Sequence, residues 1–370
     1  MAEKVRILTA RPHRLLAPLI EELGQWNRQQ KSVVLLVPEQ LTLQTEREIF
    51  ERLRLEGSFY LDILSPSRFY ERVLESGGRD QREPLNSAGR RMAVSLALER
   101  LEDKLGYYGA LSLRTGFVEK TSALITDLKR GGMSPDMLAE YAEQLPAGIS
   151  REKLGDLALI YAQYEEVLRN RFSDSEDQLR YVAGRLEDSG FLREKHVYVY
   201  GFDTLPDQMM RLLTAAAPLC ESLSVALLWE HEDAPDGELF LPVRQGVGRF
   251  TEMLREAGMD TEFAPCPRKE LNAPEAVRCL ERGLFTLRPC AMEGKQDSVF
   301  LSSGLSPYEE ATLMTRQVLR LLAGGMDVEK IAVLYPDDGG YAFAVSAALR
   351  DSGVPFYSDE KLSALSHGLP

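Results

Sequence analysis

Short runs dense in Val, Ile and Leu recur along the chain with helical stretches between them, and this alternation restricts the fold more than any other feature. The runs are VRILTA (5–10), SVVLLVP (32–38), LDILSP (61–66), HVYVYGF (196–202), SLSVALLW (222–229), SVFLSSG (298–304) and IAVLYP (331–336). Runs of this kind mark strands buried on both faces, as in a parallel sheet covered by helices. The predicted class is α/β. A chain of 370 residues, 44% of them hydrophobic, has material for about two domains with cores of their own.

The alternation lapses between residues 85 and 191, where the pattern is helical and essentially free of strands. Residues 85–105 are amphipathic, and 154–168 follow with Leu157, Leu159, Ile160, Tyr164 and Val167 apolar. Gly131-Gly132 and Pro146–Gly148 punctuate this stretch and predict breaks between helices. A helical domain is therefore expected between two halves of one sheet. A further boundary is expected within 233–275, where DAPDG, APCPRKE and LNAP gather Pro, Gly and charge.

From Ser298 a fresh strand and helix pattern begins. Its first helix opens on Ser306-Pro307-Tyr308-Glu309, a capping box with Ser at the N-cap, Pro at N1, and Glu at N3 to reach back to the N-cap amide. A helix over 341–349 and VPFYSD follow. The pattern reads as a unit opened and not finished, so the chain is expected to be the front part of a longer protein.

The net charge of −13 argues against coating nucleic acid or acidic membrane through the overall field, while leaving room for a local cationic groove. No apolar run approaches the roughly 18 residues of a membrane helix, and no signal peptide is legible, so a cytoplasmic protein without membrane contact is expected. Cys220, Cys266, Cys279 and Cys290 form no CxxC pair, and His13, His196, His231 and His367 are scattered. The cysteines read as reduced thiols, and no metal or catalytic constellation assembles.

The first strand runs into a turn and a helix in RILTARPHRLLAPLIEEL (6–23), the layout of a phosphate loop. A P-loop needs glycines for converging amides, a Lys, and a hydroxyl for Mg²⁺. With Thr9 at the first position, Arg14 stands for the second glycine, Leu15 for the Lys and Leu16 for the hydroxyl. Pro12 removes a further amide donor. Arg11, His13 and Arg14 are left either to meet an anion at the helix N-terminus or to be solvated.

Two other strand ends carry polar groups where α/β sheets hold ligands. After the second strand, Gln40 and Gln44 are four apart, with Thr42 and Thr45 beside them; they read equally as hydrogen-bonding ligands or as a helix cap and solvated glutamines. After the third strand, Ser65 or Ser67 caps a helix with Pro66 in its first turn and Phe69 and Val73 facing inward, and Arg68 is placed to meet a phosphate or solvent. At the end of VYVYGFDTLPDQ (197–208), Asp203 stands where an ATPase would want two acids, but Thr204, Pro206 and Asp207 account for it as a capped helix start.

Several of these stretches, taken in order, resemble the N-terminal part of the AddB family, the B subunits of bacterial ATP-dependent helicase/deoxyribonucleases that process double-strand breaks. They are LLVPEQLTLQTE (35–46), KLGDLALIYAQYEEVL (153–168), FSDSEDQL (172–179), VYVYGFDTLPDQ, and the stretch from SPYEEATL (306–313) to VPFYSDEK (354–361). The resemblance implies a UvrD-like superfamily 1 helicase fold. Residues 1–84 and 192–270 would form a RecA-like, P-loop NTPase-type parallel sheet, 85–191 an inserted all-helical subdomain, and 271–370 the start of a second RecA-like domain.

It also implies a helicase-like part that grips single-stranded DNA and duplex ends beside an AddA motor subunit. By position, Gln40, Thr42, Gln44 and Thr45 match one segment that lies along the single strand, and Ser67 and Arg68 match another. The family's nuclease site, with its Mg²⁺, and its iron-sulfur cluster lie in a C-terminal region that nothing here matches, so no catalytic residue or cofactor is carried over. Many AddB proteins resemble a P-loop at their start, and this chain departs from that pattern over Thr9, Arg14, Leu15 and Leu16. The expected function is a DNA-binding, scaffolding portion without ATPase activity, with an active ATP-binding helicase subunit or a docking module for AddA as the alternatives.

Overall fold

The computed structural model describes residues 4–77, 82–101, 104–111, 114–169, 171–174, 181–230, 237–267, 271–286, 291–292, 294–336 and 340–358. Two compact units divide the chain, Met1–Asn272 with Arg282–Cys290, and Ala273–Glu281 with Ala291–Pro370.

In the first unit β1 (Lys4–Ala10) leads through α1 (Pro12–Arg28) to β2 (Val33–Leu36), and α2 (Thr42–Leu53) leads to β3 (Leu61–Leu64) and α3 (Pro66–Gly77). A two-residue strand β4 (Glu83–Pro84) precedes α4 (Ser87–Arg100), α5 (Thr115–Arg130), α6 (Pro135–Gln144) and α7 (Ile149–Leu168). Then come β5 (Phe172–Ser173), which pairs with β4, the short α8 (Leu186–Ser189), β6 (His196–Val199), α9 (Asp207–Ala216), β7 (Ser222–Leu228), α10 (Leu241–Glu256) and β8 (Asp260–Pro265). After α11 (Glu275–Gly283), the second unit carries α12 (Pro307–Ala323) and α13 (Tyr341–Asp351).

Six strands form one sheet in the order β3-β2-β6-β7-β1-β8, with parallel pairings throughout. The α/β class with a parallel sheet is therefore observed. The alternation of side chains along a strand explains why β2 is apolar at every position. Val33 and Leu35 join Leu19 and Leu23 of α1 and Ile49 of α2, whereas Val34 and Leu36 join Phe69 and Val73 of α3 and residues of α9 and α10. Each fully buried Leu, Ile or Val contributes about 1.5–3 kcal/mol. A polar thread fixes α1 on the sheet as well: Trp26 Nε1 donates to Tyr198 Oη at 2.9 Å, and Tyr198 donates to Glu22 at 2.9 Å. Burial pushes the Tyr198 phenol up to about 12. Cys220, Cys266 and Cys279 are buried and form no disulfide among the described residues, and Cys290 lies outside them.

β8 was not expected. DTEFAP lies inside the Pro- and Gly-rich region read as a boundary, and only its Phe263 and Ala264 are markedly apolar. It is an edge strand paired to β1 alone, so one covered face suffices and the dense apolar signature is not required.

α4, α5 and α7 share a core of their own, with Val94, Ala97 and Leu98 of α4, Val118 and Ile125 of α5, and Ile160, Tyr161, Tyr164 and Leu168 of α7. The glycine and proline punctuation falls where expected: α5 ends against Gly131, and 145–148 separate α6 from α7. The buried Asp156 carboxylate accepts the backbone amides of Gly106, Tyr107 and Tyr108 at 3.1, 2.8 and 2.8 Å, which ties the loop after α4 to α7. Lys129, 1% exposed, pairs with Asp174 at 2.6 Å and Glu165 at 2.7 Å.

In the second unit α12 and α13 share a core of Ala311, Val318, Ala344, Val345, Leu349 and Val354. Ser306 caps α12 as expected, accepting the Glu309 amide at 3.3 Å, but Glu309 reaches one residue further back, to the Leu305 amide at 2.7 Å. The runs 298–304 and 331–336, expected as strands, carry no ladder. Ile331, Val333 and Tyr335 pack on the helical core while Leu334 is 90% exposed. That is the period-two pattern of a strand without a pairing neighbour among the described residues, and an extended segment becomes a strand only by pairing.

Candidate nucleic-acid interface

β3, β2 and β6 are neighbours in the sheet, so the segments leaving their carboxyl ends lie side by side. The chain leaves β2 through Pro38, makes one 3₁₀ turn over Glu39–Leu41, and enters α2 at Thr42. The Leu41 amide and the Thr42 hydroxyl both donate to the Pro38 carbonyl, at 3.0 and 3.2 Å. This places Gln40 and Gln44 at the surface, the first on the 3₁₀ turn and the second on α2. Thr42 and Thr45 are buried. Thr42 thus ties the helix start to the turn, and of these four residues only the glutamines are exposed to a ligand.

The exit of β3 is tied to that of β2. Ser65, 1% exposed, accepts the Arg68 amide on its hydroxyl at 3.4 Å and lies 3.0 Å from the Ser67 hydroxyl. Of the two serines considered as caps, Ser65 is the one that serves. Phe69 and Val73 face the core, and Ser67 and Arg68 are exposed. Glu39 crosses from the first segment to the second, where its carboxylate accepts the Ser67 amide at 3.2 Å. Partial burial opposes the charge on Glu39, yet the hydrogen bonds of Ser67 and Ser65 and the charge of Arg68 hold its carboxyl below the usual range.

The exit of β6 closes against the same turn. Gly201 has φ +83°, and a Cβ there would stand 2.9 Å from Leu41 Cδ1 and 3.3 Å from Pro38 Cδ. Only glycine meets both conditions. Gly201→Ala is expected to cost about 1–3 kcal/mol in urea unfolding; a loss under about 0.5 kcal/mol, the ordinary range of a surface change, would show that the turn yields freely. Asp203 and Thr204 are exposed. The cap expected from Thr204 is not observed: α9 starts at Asp207 with Pro206 at the N-cap and no side-chain cap bond, because the chain enters through the extended Pro206 backbone. Gln208, buried, instead donates to the Lys129 carbonyl at 2.9 Å and links α9 to α5.

The β1 exit is built differently. Leu15 is 2% exposed in a cluster with Leu8, Ala10, Ala226 and Cys266, and Leu16 packs against the cluster of α1 and α2. Thr9 is buried, with no partner for its hydroxyl among the described residues. Arg11 Nε donates to Glu230 Oε2 at 2.7 Å and Arg14 Nη1 to Glu230 Oε1 at 2.8 Å. The Arg11 guanidinium also lies 5.8 Å from the Phe240 ring centroid. Burial works against the Glu230 charge, but the two arginines hold its carboxyl below the usual range. These residues do not fit a nucleotide triphosphate with Mg²⁺: two leucines take the places of the chemical groups, and the cations of the turn already face a carboxylate.

Glu39, Gln208 and Glu230 were not singled out from the sequence. Glu39 stood in the distinctive PEQ stretch and Gln208 at the end of VYVYGFDTLPDQ, which is the one signal available for them. Glu230 had none, since its partners Arg11 and Arg14 are separated from it by 219 and 216 residues.

The sequence matches the family described as ADDB, N-terminal over residues 11–281, a span that takes in all these exits. It is 27% identical over 346 residues to the B subunit of the ATP-dependent helicase/deoxyribonuclease of Clostridium tetani, covering 90% of this chain and 30% of that protein. The protein of the same description in Symbiobacterium thermophilum is 28% identical over 355 residues, covering 91% of this chain and 30% of its own length. That of Desulforamulus reducens is 25% identical over 373 residues, covering 98% and 32%. The chain therefore spans 30% to 32% of the length of these relatives. The family match encloses the three interlocked exits of β2, β3 and β6, whose PEQ, SPSR and YGFD stretches pack on one another, and the chain belongs to the AddB N-terminal family.

Proposed function

We propose that this chain is the helicase-like, DNA-gripping and scaffolding portion of the B subunit of an ATP-dependent helicase/deoxyribonuclease, working in double-strand break repair with an AddA-type motor subunit and hydrolysing no ATP itself. On this reading residues 1–84 and 192–270 are a RecA-like domain, 85–191 its helical insertion, and 271–370 the start of a second RecA-like domain. The observation that carries it is the interlock of three adjacent strand exits, through the Glu39 to Ser67 hydrogen bond and the seat of Gly201 on Pro38 and Leu41. The interlock holds Gln40, Gln44, Ser67 and Arg68 at the surface as a fixed set. Amides and hydroxyls serve sugars and bases, and an Arg at the first turn of a helix serves a phosphate.

Single-strand binding through Arg68 depends on salt, because each phosphate neutralised releases counterions. The test is an anisotropy titration with a labelled single-stranded oligonucleotide from low to physiological salt, for the chain alone and with its partner subunit. Binding that weakens linearly on a log–log plot is expected. No affinity at low salt in either form overturns the proposal.

A further inference from the structure

β4 and β5 lie side by side where the chain approaches α4 and leaves α7, and arginines and aromatic rings gather there that the strand exits do not use. The Glu83 amide donates to the Arg171 carbonyl at 2.9 Å and the Leu85 amide to the Ser173 carbonyl at 2.8 Å. Arg82 and Arg171, each one residue before its strand, are thereby brought together. The guanidiniums of Arg82 and Arg185 both lie 5.4 Å from the centroid of the Tyr181 ring, and that of Arg171 lies 5.5 Å from the centroid of Phe172. The footing is fixed: Phe172 packs against the core of α4, α5 and α7, while Val182 and Leu186, next to Tyr181 and Arg185, are buried in the cluster that holds Phe69 and Val73 of α3. Arginines elsewhere in the chain face carboxylates, as Arg52 faces Glu48 and Arg255 faces Glu252. Arg171 and Arg185 face none among the described residues, and Arg82 has contacts of its own besides Tyr181.

We infer that Arg82, Arg171 and Arg185 form a clamp for the backbone phosphates of duplex DNA, distinct from the single-strand set at the strand exits. The inference rests on the reading of the chain as a DNA-gripping part. A guanidinium laid on a ring is held flat yet keeps its in-plane N–H groups, which match the oxygens of a phosphate. A carboxylate partner would consume those groups; a ring does not. Like charges gathered at one place repel one another, and an anion from outside relieves that repulsion. The choice of duplex follows from the rings. Single-strand sites offer aromatic faces on which bases stack, whereas Tyr181 and Phe172 already carry guanidiniums. What the junction presents is charge in a fixed arrangement, which reads a phosphate backbone and not a sequence. Arg171 is exposed, and Arg82 and Arg185 are half-buried, so the clamp is open to a ligand as large as a duplex.

The deciding variant is Arg171→Gln with Arg185→Gln, which removes two charges without breaking an ion pair. Anisotropy is measured at several salt concentrations with a labelled duplex closed by hairpins at both ends, and separately with a labelled single strand. The glutamine pair is expected to lower duplex affinity about tenfold at low salt and the log–log salt slope by about 1.8, roughly 0.9 for each phosphate, while single-strand affinity changes by less than about twofold. Arg171→Lys with Arg185→Lys keeps the charge and is expected to restore the slope but not the full affinity, since an ammonium lacks the planar fork. Should the glutamine pair fail to fold, Arg185→Gln alone carries the test, with an expected slope change of about 0.9. Unchanged duplex affinity and slope in the glutamine pair overturn the inference, as does an equal loss on both ligands. So does an unaltered chain that binds the single strand and not the closed duplex, a result that leaves the proposed function standing; an unaltered chain that binds neither ligand, alone or with its partner subunit, overturns both. Loss of partner-subunit binding with duplex binding intact also overturns the clamp and assigns the arginines to a protein contact.

Discussion

Lys129→Ala is expected to destabilise the first unit by about 3–5 kcal/mol, the usual result of removing one partner from a buried ion pair. Lys129 is 1% exposed and its ammonium lies 2.6 Å from Asp174 Oδ2 and 2.7 Å from Glu165 Oε1. Without it, Asp174 and Glu165 lose the ammonium they share, and Asp174 is 3% exposed. The Tyr164 hydroxyl, which donates to Asp174 at 3.2 Å, cannot neutralise that charge. The Lys129 carbonyl accepts from Gln208 of α9, so disturbance at this residue reaches the contact between the helices and the sheet. The double variant Lys129→Met, Asp174→Leu removes both charges together and is expected to recover part of the loss, since well-packed apolar replacements of buried pairs are often neutral. Urea unfolding of the single and double variants checks both points; a single-variant loss below about 1 kcal/mol, the range of an exposed pair, would mean that water reaches the pair.

The parts of this fold that were legible are those fixed by near neighbours in the chain. The breaks at Gly131-Gly132 and before Ile149 follow from local backbone preference, and the Ser306 cap follows from hydrogen bonds within four residues. The buried strands announce themselves because both faces of β2 are covered and each of its residues must be apolar. β8 was illegible for the converse reason: at the sheet edge its polar residues are tolerated, and pairing with β1 is decided by residues far away in the chain, Lys4 meeting Asp260 and Thr9 meeting Pro265. At 331–336 the pattern of a strand is present and the ladder is not, because periodicity reports which side is buried and says nothing of a pairing partner. The same limit hid the chemistry of the site. Arg11 and Arg14 could be seen as cations at a helix start, but whether they meet solvent, a ligand or a carboxylate depends on Glu230. Likewise the burial of Thr42 and Thr45 depends on the turn at Pro38, which spacing alone does not reveal.

Arg68→Ala is expected to weaken single-stranded DNA binding about tenfold at low salt, roughly 1.4 kcal/mol, and to lower the log–log salt slope by about 0.7 for the one phosphate no longer neutralised. Arg68 is exposed in the first turn of α3, where the helix dipole also draws an anion. Glu39 sits beside it and takes the Ser67 amide, so the helix end is already partly neutralised and Arg68 is the group left to project charge toward a strand. Arg68→Glu places two carboxylates at that point and is expected to lower affinity by a further factor of about ten. Gln40→Ala and Gln44→Ala distinguish a phosphate role from a base or sugar role. They are expected to reduce affinity severalfold without changing the slope, since neutral amides release no counterions. Binding curves measured at three or more salt concentrations separate the two behaviours. If Arg68→Ala changes neither affinity nor slope, the strand does not pass over the first turn of α3, and the glutamine variants then decide whether it passes over the β2 exit at all.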